Sequence, residues 1–527
     1  MSTSTGSRRV LLIGIDGGCW SLLNRAIDAG AMPCLKALRE QGSWGNLLST
    51  IPPKTPAAWG AFQTGRNPGA NGVFDFAWWD RASRQTRCAS AASLEETIWE
   101  IAGRAGRRVG LLNVPMTYPP RPIPGMVVCG LLTPSMDSEW TYPPSLKSEL
   151  LKAVPGYHIF NLDDMPFREV QKNPELFLSM MSDAVDKRGK AARFLLEQEP
   201  FDVFMVHFQA SDVVQHGLWG FLSPDHPDYN EAVCRLAFER FYRKLDEEIQ
   251  HTLELFQKRS IGPTVTFVLS DHGFQTHRKR VHLGYFLVEK GFLRVKQPDF
   301  SARMKNWMSC LTGRRIPSRP DFDWERSRVF SFSQGNDGFL YFLEENQSAR
   351  LRTEEELRRS LDSLSDPETG QKVVRHIWRR EELYRGKYAD RMPDWVLQPI
   401  DGYSFTGDYA ASQKELFRPV QLGRDFHIGM HHPEGILAVF GDSVKQGISL
   451  QGVRLIDLAP TILALLGTAV PAEMEGRVLT ELFCGLEDSA RTAGSQPPNP
   501  AVREEGVYSD EEAAQIEKRL RDLGYIE

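Results

Sequence analysis

Short apolar runs alternate with segments of helical period through the first quarter of the chain. VLLIGID (10–16), a predicted helix at 33–41, RRVGLLNV (107–114) and GMVVCGLL (125–132) follow one another from Arg8 to about Cys129. Runs this short and this apolar, separated by helices, predict a mostly parallel sheet covered on both faces, an α/β/α sandwich. A helix-rich stretch at 142–197 leads to the buried-strand pattern FDVFMVHF (201–208), and a helix at 230–257 leads to PTVTFVLSD (263–271).

The pattern breaks after Gly291. From Arg294 to about Phe426 the chain is rich in Arg, Glu and Asp with isolated tryptophans (Trp307, Trp324, Trp378, Trp395), which predicts an insertion capping the sheet edge. Strand character returns with HHPEGILAVFGDSV (431–444), followed by the helical LIDLAPTILALLG (455–467). The expected organisation is therefore a core at 8–293 and 427–485, an insertion at 294–426, a polar Pro- and Ser-bearing linker at 486–508, and a C-terminal helix at 509–527. That helix begins on an N-cap serine, with acidic residues in its first turn and basic ones near its end.

Length and composition fit this picture and narrow the function classes. A chain of 527 residues exceeds one small core, and 41% hydrophobic with 25% charged residues describes an ordinary globular protein. The net charge of −5 provides no cationic surplus for nucleic acid. No segment approaches the roughly 18 apolar residues of a membrane span, and the N-terminus runs straight into a strand with no secretion-signal pattern. The seven cysteines show neither CxxC spacing nor a pairing pattern, so a cytoplasmic location is expected and thiolate-bound zinc is not.

The candidate chemistry lies at the ends of the predicted strands. Asp16 ends VLLIGI before two glycines, and Asp271 with His272 ends the strand before Gly273, placing three metal-competent groups on one rim of the sheet. Taken singly, IDGG and SDHG are strand-ending turns. Asp212 and His216 follow the FDVFMVHF strand four residues apart, on one face if the segment is helical; a surface ion pair or a capping aspartate is the plainer reading. His431 precedes the strand GILAVFG, with His432 as its rival.

Thr55 sits among Pro52, Pro53 and Pro56 ahead of AAWGAFQTG. The prolines fix the approach and allow a helix to start there, beside backbone N–H groups suited to phosphoryl oxygens. Otherwise it is an ordinary threonine in a proline-rich loop. Oxygen and imidazole ligands of this kind accept zinc, manganese or iron, and a metal can turn a hydroxyl into a nucleophile.

In this order, VLLIGIDGG, PPKTPAAW…TGRNPGANGVFDF, NVPMTYPP, HFQASDVVQHG, VLSDHGF and GMHHPEGILAVFG resemble the alkaline phosphatase superfamily, most closely its type I phosphodiesterase and nucleotide pyrophosphatase branch. The resemblance implies two divalent metal ions, zinc first. Asp16, Thr55, Asp271 and His272 would serve one, and Asp212, His216 and His431 the other. It further implies in-line attack by Thr55 on phosphorus of a small phosphoester and a phosphothreonine intermediate; a mutase of the same superfamily, or a non-catalytic metal-stabilised binding module, are the alternatives. Threonine rather than serine favours the diesterase branch. Asn71 stands where the family often has a histidine. Asp75 or Phe76 stands where nucleotide pyrophosphatases place an asparagine, which leaves Asn113 or Lys54 as candidates for phosphate contact.

Overall fold

The computed structural model describes residues 8–160, 167–296, 322–407, 409, 415–486 and 508–522. The chain divides into two compact units, one formed by residues 1–276, 384–391 and 421–526, the other by residues 277–383 and 392–420.

The first unit is built on a nine-stranded sheet. Its spatial order is Ser449–Leu450, Ser43–Leu48, Glu434–Gly441, Thr264–Leu269, Arg9–Ile15, Val203–Phe208, Val109–Val114, Gly125–Cys129 and Thr141–Tyr142. The strand Arg9–Ile15 lies parallel to both of its neighbours, with Ile15 opposite Phe208 and Gly14 opposite Leu269. Glu434–Gly441 runs antiparallel to Thr264–Leu269 and to Ser43–Leu48. The sheet is therefore mixed but mostly parallel, as the apolar runs predict. Burial on both faces explains their composition: Val203–Phe208 and Thr264–Leu269 are buried at every position.

Helices flank this sheet. Pro33–Gln41 forms where predicted, with its proline at the first helical position. The helix predicted at 230–257 occurs as Glu231–Ala237, a π-helical turn Phe238–Tyr242, and Arg243–Arg259. Among the described residues no helix is long and apolar enough to cross a membrane.

The segment 384–391 lies within the predicted insertion yet packs with the first unit. Tyr384 Oη donates to the Ile51 carbonyl (3.0 Å), while Arg385 N–H and its carbonyl bond the two ends of the Asn67 amide (3.0 Å each). The C-terminal helix spans Asp510–Asp522 and buries Ile516 and Leu520; Tyr508 before it stacks on Tyr118. The expected linker lies almost entirely outside the described residues, as does Trp307.

The second unit contains an antiparallel sheet in the order Val329–Ser331, Gly338–Phe342, Trp395–Pro399, Val374–Arg379, and a three-stranded sheet centred on Lys279–His282. Trp395 is fully buried in the first of these sheets. Asp366 is buried on a Lys279 ammonium (2.6 Å) and the Tyr403 hydroxyl (2.5 Å).

In the first unit the buried Asp246 accepts the N–H groups of Cys34 (2.8 Å) and Leu35 (2.9 Å), satisfying the start of the helix Pro33–Gln41 from the helix Arg243–Arg259. Asp246→Ala should cost about 1–2 kcal/mol, read as a lower denaturation midpoint. Burial pushes the carboxyl up to about 6 despite those bonds, so between about pH 4 and 6 the folded chain holds a proton that the unfolded chain has released. Stability contributed by this group falls as pH rises through that window; in Asp246→Asn that slope should be absent from the pH profile of the melting temperature.

Candidate active site

Three parallel strands deliver their following residues to one rim. Asp16 follows Ile15, and its N–H donates to the Phe208 carbonyl of the next strand (3.1 Å). Gly17 turns the chain away at φ +67, where a Cβ would meet the Phe274 ring at 2.5 Å; its N–H donates to Asp271 Oδ1 (3.2 Å). Two adjacent strand ends are thereby tied through one carboxylate. Beyond Phe208 the chain enters the helix Ala210–Leu222, which places Asp212 and His216 one turn apart and buries both. The Ser211 hydroxyl donates to the Asp16 carbonyl (2.7 Å), pinning that helix to the first strand end.

His431 precedes the strand Glu434–Gly441, as expected, and itself lies in a further short strand, Gly429–His432, paired antiparallel with Gly273–Thr276. The pairing sets Phe274 opposite His431 and brings the His431 and His272 rings into a stack at 3.6 Å. Thr55 begins the buried helix Thr55–Thr64, after a loop from the strand Ser43–Leu48.

The three histidines share one arrangement. His216 Nδ1 faces the Gly429 carbonyl (3.0 Å), His272 Nδ1 the Gly273 carbonyl (3.1 Å), and His431 Nδ1 the Pro53 carbonyl (2.9 Å). A carbonyl can only accept, so each Nδ1 carries the proton and each Nε2 presents a lone pair. Those lone pairs converge. His216 Nε2 lies 2.9 Å from His431 Nε2, and each is 3.4 Å from Asp212 Oδ1. His272 Nε2 lies 3.2 Å from Asp271 Oδ2, 3.6 Å from Asp16 Oδ1 and 3.3 Å from Thr55 Oγ1. Two imidazole lone pairs facing at 2.9 Å repel unless a cation lies between them.

The carboxylates lead to the same requirement. Burial, with the charges of Asp271 and Asp212, pushes the Asp16 carboxyl well above its ordinary range. Burial and Asp212 push Asp271 up to about 8. Burial lowers His431 to about 4, and burial with the neighbouring His431 lowers His272 well below its usual value, so both rings are neutral. Neither Asp16 oxygen nor Asp271 Oδ2 accepts a well-aligned hydrogen bond from the protein. Buried carboxylates facing neutral nitrogen lone pairs fit divalent cations.

Among the described residues, ligand-competent atoms within 4.8 Å of one another occur in two sets, Asp212 with His216 and His431, and Asp16 with Asp212 and His272. Asp212 thus belongs to both, which the division read from the sequence does not anticipate. All seven candidate residues nevertheless lie in this one neighbourhood.

Other sequence candidates fall into place around it. Asn113 has its amide engaged: Oδ1 accepts from Tyr157 Oη, and Nδ2 donates to the Ile159 carbonyl (3.3 Å). Asn71 braces its own loop through the Val73 N–H (2.9 Å) and the Arg66 carbonyl (3.3 Å). Asp75 is buried and accepts the Phe76 N–H (2.7 Å); burial raises its carboxyl, and the buried Lys54 beside Thr55 partly offsets that rise. His432 is partly exposed, with Nδ1 accepting the Glu434 N–H (3.2 Å).

Two neighbours went unread in the sequence. His207 places Nε2 2.9 Å from Asp16 Oδ2, and Trp59, one helical turn after Thr55, directs its indole toward the same carboxylate. A polar residue inside the apolar FDVFMVHF run was the available signal for the first.

Comparisons with known proteins give the family and the fold. No curated protein matches the chain in sequence. Among solved structures, phosphonoacetate hydrolase from Sinorhizobium meliloti 1021 in complex with phosphonoformate is similar over 88% of this chain and 96% of its own, at 16% identity and a TM-score of 0.53. Human ectonucleotide pyrophosphatase / phosphodiesterase 5 is similar over 90% of this chain and 100% of its own, at 14% identity and a TM-score of 0.52. At such identities the likeness establishes the fold. The model of the family described as type I phosphodiesterase / nucleotide pyrophosphatase matches residues 10–433, from the first strand to just past the histidine pair, and the chain therefore belongs to that family, within the alkaline phosphatase superfamily.

Proposed function

We propose that the protein is a two-metal phosphoric ester hydrolase of phosphodiesterase or pyrophosphatase type, with Thr55 as its nucleophile and a small anionic phosphoester as its substrate. One observation carries this reading: three backbone-anchored imidazoles turn their Nε2 lone pairs onto buried carboxylates, and one of the three lies 3.3 Å from the Thr55 hydroxyl. Asp16, Asp271, His272 and Thr55 would hold one divalent ion, and Asp212, His216 and His431 the other, with zinc the best match to the donor set. When bound, the ions would supply Lewis acidity, easing ionisation of the hydroxyl and neutralising charge on the phosphoryl oxygens.

The chain itself supplies position and charge. Thr55 opens a helix, so the positive end of that helix and its first N–H groups lie where phosphoryl oxygens would sit. Pro53, two residues earlier, orients His431 through its carbonyl, coupling the nucleophile loop to the second ligand set. Lys54, buried next to Thr55 in the chain, adds positive charge near His431 and Asp75. Attack of Thr55 Oγ1 on phosphorus of a diester breaks the bond to one ester oxygen, which leaves as an alcohol with a proton, and forms a phosphothreonine that still carries the second ester group. Water then cleaves the threonyl–phosphorus bond, releasing the phosphomonoester and restoring the hydroxyl. The reading includes a reducing, cytoplasmic location; the free Cys19, Cys34, Cys88, Cys129, Cys234 and Cys484 support it.

Elemental analysis of the purified protein should find two transition-metal ions per chain, removed together with activity by a chelator. Asp271→Asn and Asp212→Asn should each deplete one ion. Full activity in a metal-free preparation would sink the two-metal reading.

Thr55→Ala should lower turnover by about 10⁴-fold or more, as removal of a nucleophile does in other covalent hydrolases, while retaining most bound metal. With an activated aryl phosphodiester, acid quenching of the wild-type reaction should trap the phosphoryl group, still bearing its second ester, on the peptide with Thr55, and the diester should turn over faster than the matching monoester. Undiminished turnover in the alanine variant would refute the covalent route.

The two adjacent histidines should separate cleanly. His431→Ala loses one ion and most activity, because its Nε2 faces Asp212; His432→Ala keeps both ions, because its ring braces a turn at the surface. Metal content of the two variants decides between them.

A further inference from the structure

Asp16 uses its two oxygens differently. Oδ1 looks toward His272 Nε2 across 3.6 Å, into the group of metal-competent atoms. Oδ2 looks the other way, to His207 Nε2 at 2.9 Å. His207 is 1% exposed on the central strand Val203–Phe208 and stands outside both ligand-competent sets, behind Asp16.

Its ring is closely held. Trp59 meets it edge-on, with centroids 4.9 Å apart at 81°. Both rings fill the space over Gly14, where an added Cβ would lie 3.0 Å from His207 Cδ2 and 3.0 Å from Trp59 Cη2. The Asn113 backbone lies on the far side of the imidazole. The His207 carbonyl accepts a hydrogen bond from Arg188 (3.0 Å), a fully enclosed guanidinium that also bonds the Ile159 carbonyl (3.2 Å). Neither the strand nor the ring can drift without disturbing this cluster.

We infer that His207 is a positioning residue for Asp16: a hydrogen bond between His207 Nε2 and Asp16 Oδ2 holds the carboxylate in one rotamer and leaves Oδ1 as its single metal-binding oxygen. This rests on the two-metal reading above. His207 also faces an acceptor on each side, but its Nε2 stands outside both ligand-competent sets and meets its carboxylate at 2.9 Å, closer than the 3.2–3.4 Å of the other three histidines. This closer charge-assisted contact places the proton on Nε2. The contact has hydrogen-bond length but not ideal direction. Partners of this kind commonly alter metal affinity by about 10–100-fold. They do so by fixing ligand orientation.

The test is zinc titration of full-length protein, stripped and then competed against a chromophoric chelator, for wild type and three variants. Wild type should bind two ions. His207→Leu should weaken one of them by about 10–100-fold, leave the other unchanged, and leave the melting temperature of the stripped protein close to wild type. His207→Gln, whose amide nitrogen reaches the position of Nε2, should restore the weakened site; His207→Asn, which reaches only the position of Nδ1, should not. If His207→Leu fails to fold, the contrast between glutamine and asparagine decides alone. Two wild-type affinities in His207→Leu, or equal behaviour of the glutamine and asparagine variants, overturn the positioning role and leave the two-metal reading intact. A wild-type protein that binds no zinc overturns both.

Discussion

Three aspartates buried at one sheet rim set the terms for everything around them. Asp16, Asp212 and Asp271 are each at most 1% exposed, and like charges so placed cannot all ionise without compensating cations. The protein side of that compensation is a set of neutral imidazoles, which offer lone pairs and no charge. The sheet creates the problem, because adjacent parallel strands end at the same level: Ile15 pairs with Phe208, and Gly14 with Leu269. Family membership places this chain among phosphodiesterase and pyrophosphatase-type proteins.

Anchoring the imidazoles to backbone carbonyls has a second effect. Each carbonyl belongs to a different piece of chain: the loop before Thr55, the strand Gly429–His432, and the turn after Asp271. Ring orientation therefore reports the position of three backbone segments at once. A shift in any of them would misdirect a lone pair. The site is held by elements with no flexible charged side chain in the anchoring set, which suits a rigid centre built at the edge of a packed sheet.

Much of this was legible in the sequence, for physical reasons. Asp16 and the Asp271–His272 pair stand out because a buried strand must end in a turn, and polar residues at that turn have few purposes other than turn-making or chemistry. Asp212 and His216 become visible once the preceding strand is recognised, since a spacing of four places them on one helical face. The sequence order of the motifs carried the family resemblance. His431 does stand ahead of the strand Glu434–Gly441 as the sequence indicates, but the extra pairing of Gly429–His432 with Gly273–Thr276 is too brief to show alternation. The carbonyl anchors could not be read at all, because any residue presents the same acceptor. His207 and Trp59 were hidden for a related reason: inside an apolar run or a buried helix, a ring satisfies the core pattern whatever it touches. The π-helical turn at Phe238–Tyr242 likewise leaves the apolar period nearly unchanged.

The segment 384–391 bears on how the chain can be taken apart. It is flanked on both sides by the second unit, yet its hydrogen bonds go to Ile51, Asn67 and Gly69, on either side of the nucleophile. An insertion is usually treated as a cassette, removable or exchangeable at its two junctions. Here such an excision would carry off a brace of the loop that presents Thr55. Recombining this unit with that of a relative would succeed only if the graft kept Tyr384 and the backbone at Arg385 and Tyr388 in register with the recipient loop, so the modules of this enzyme are separable by compactness but not by ancestry of their contacts.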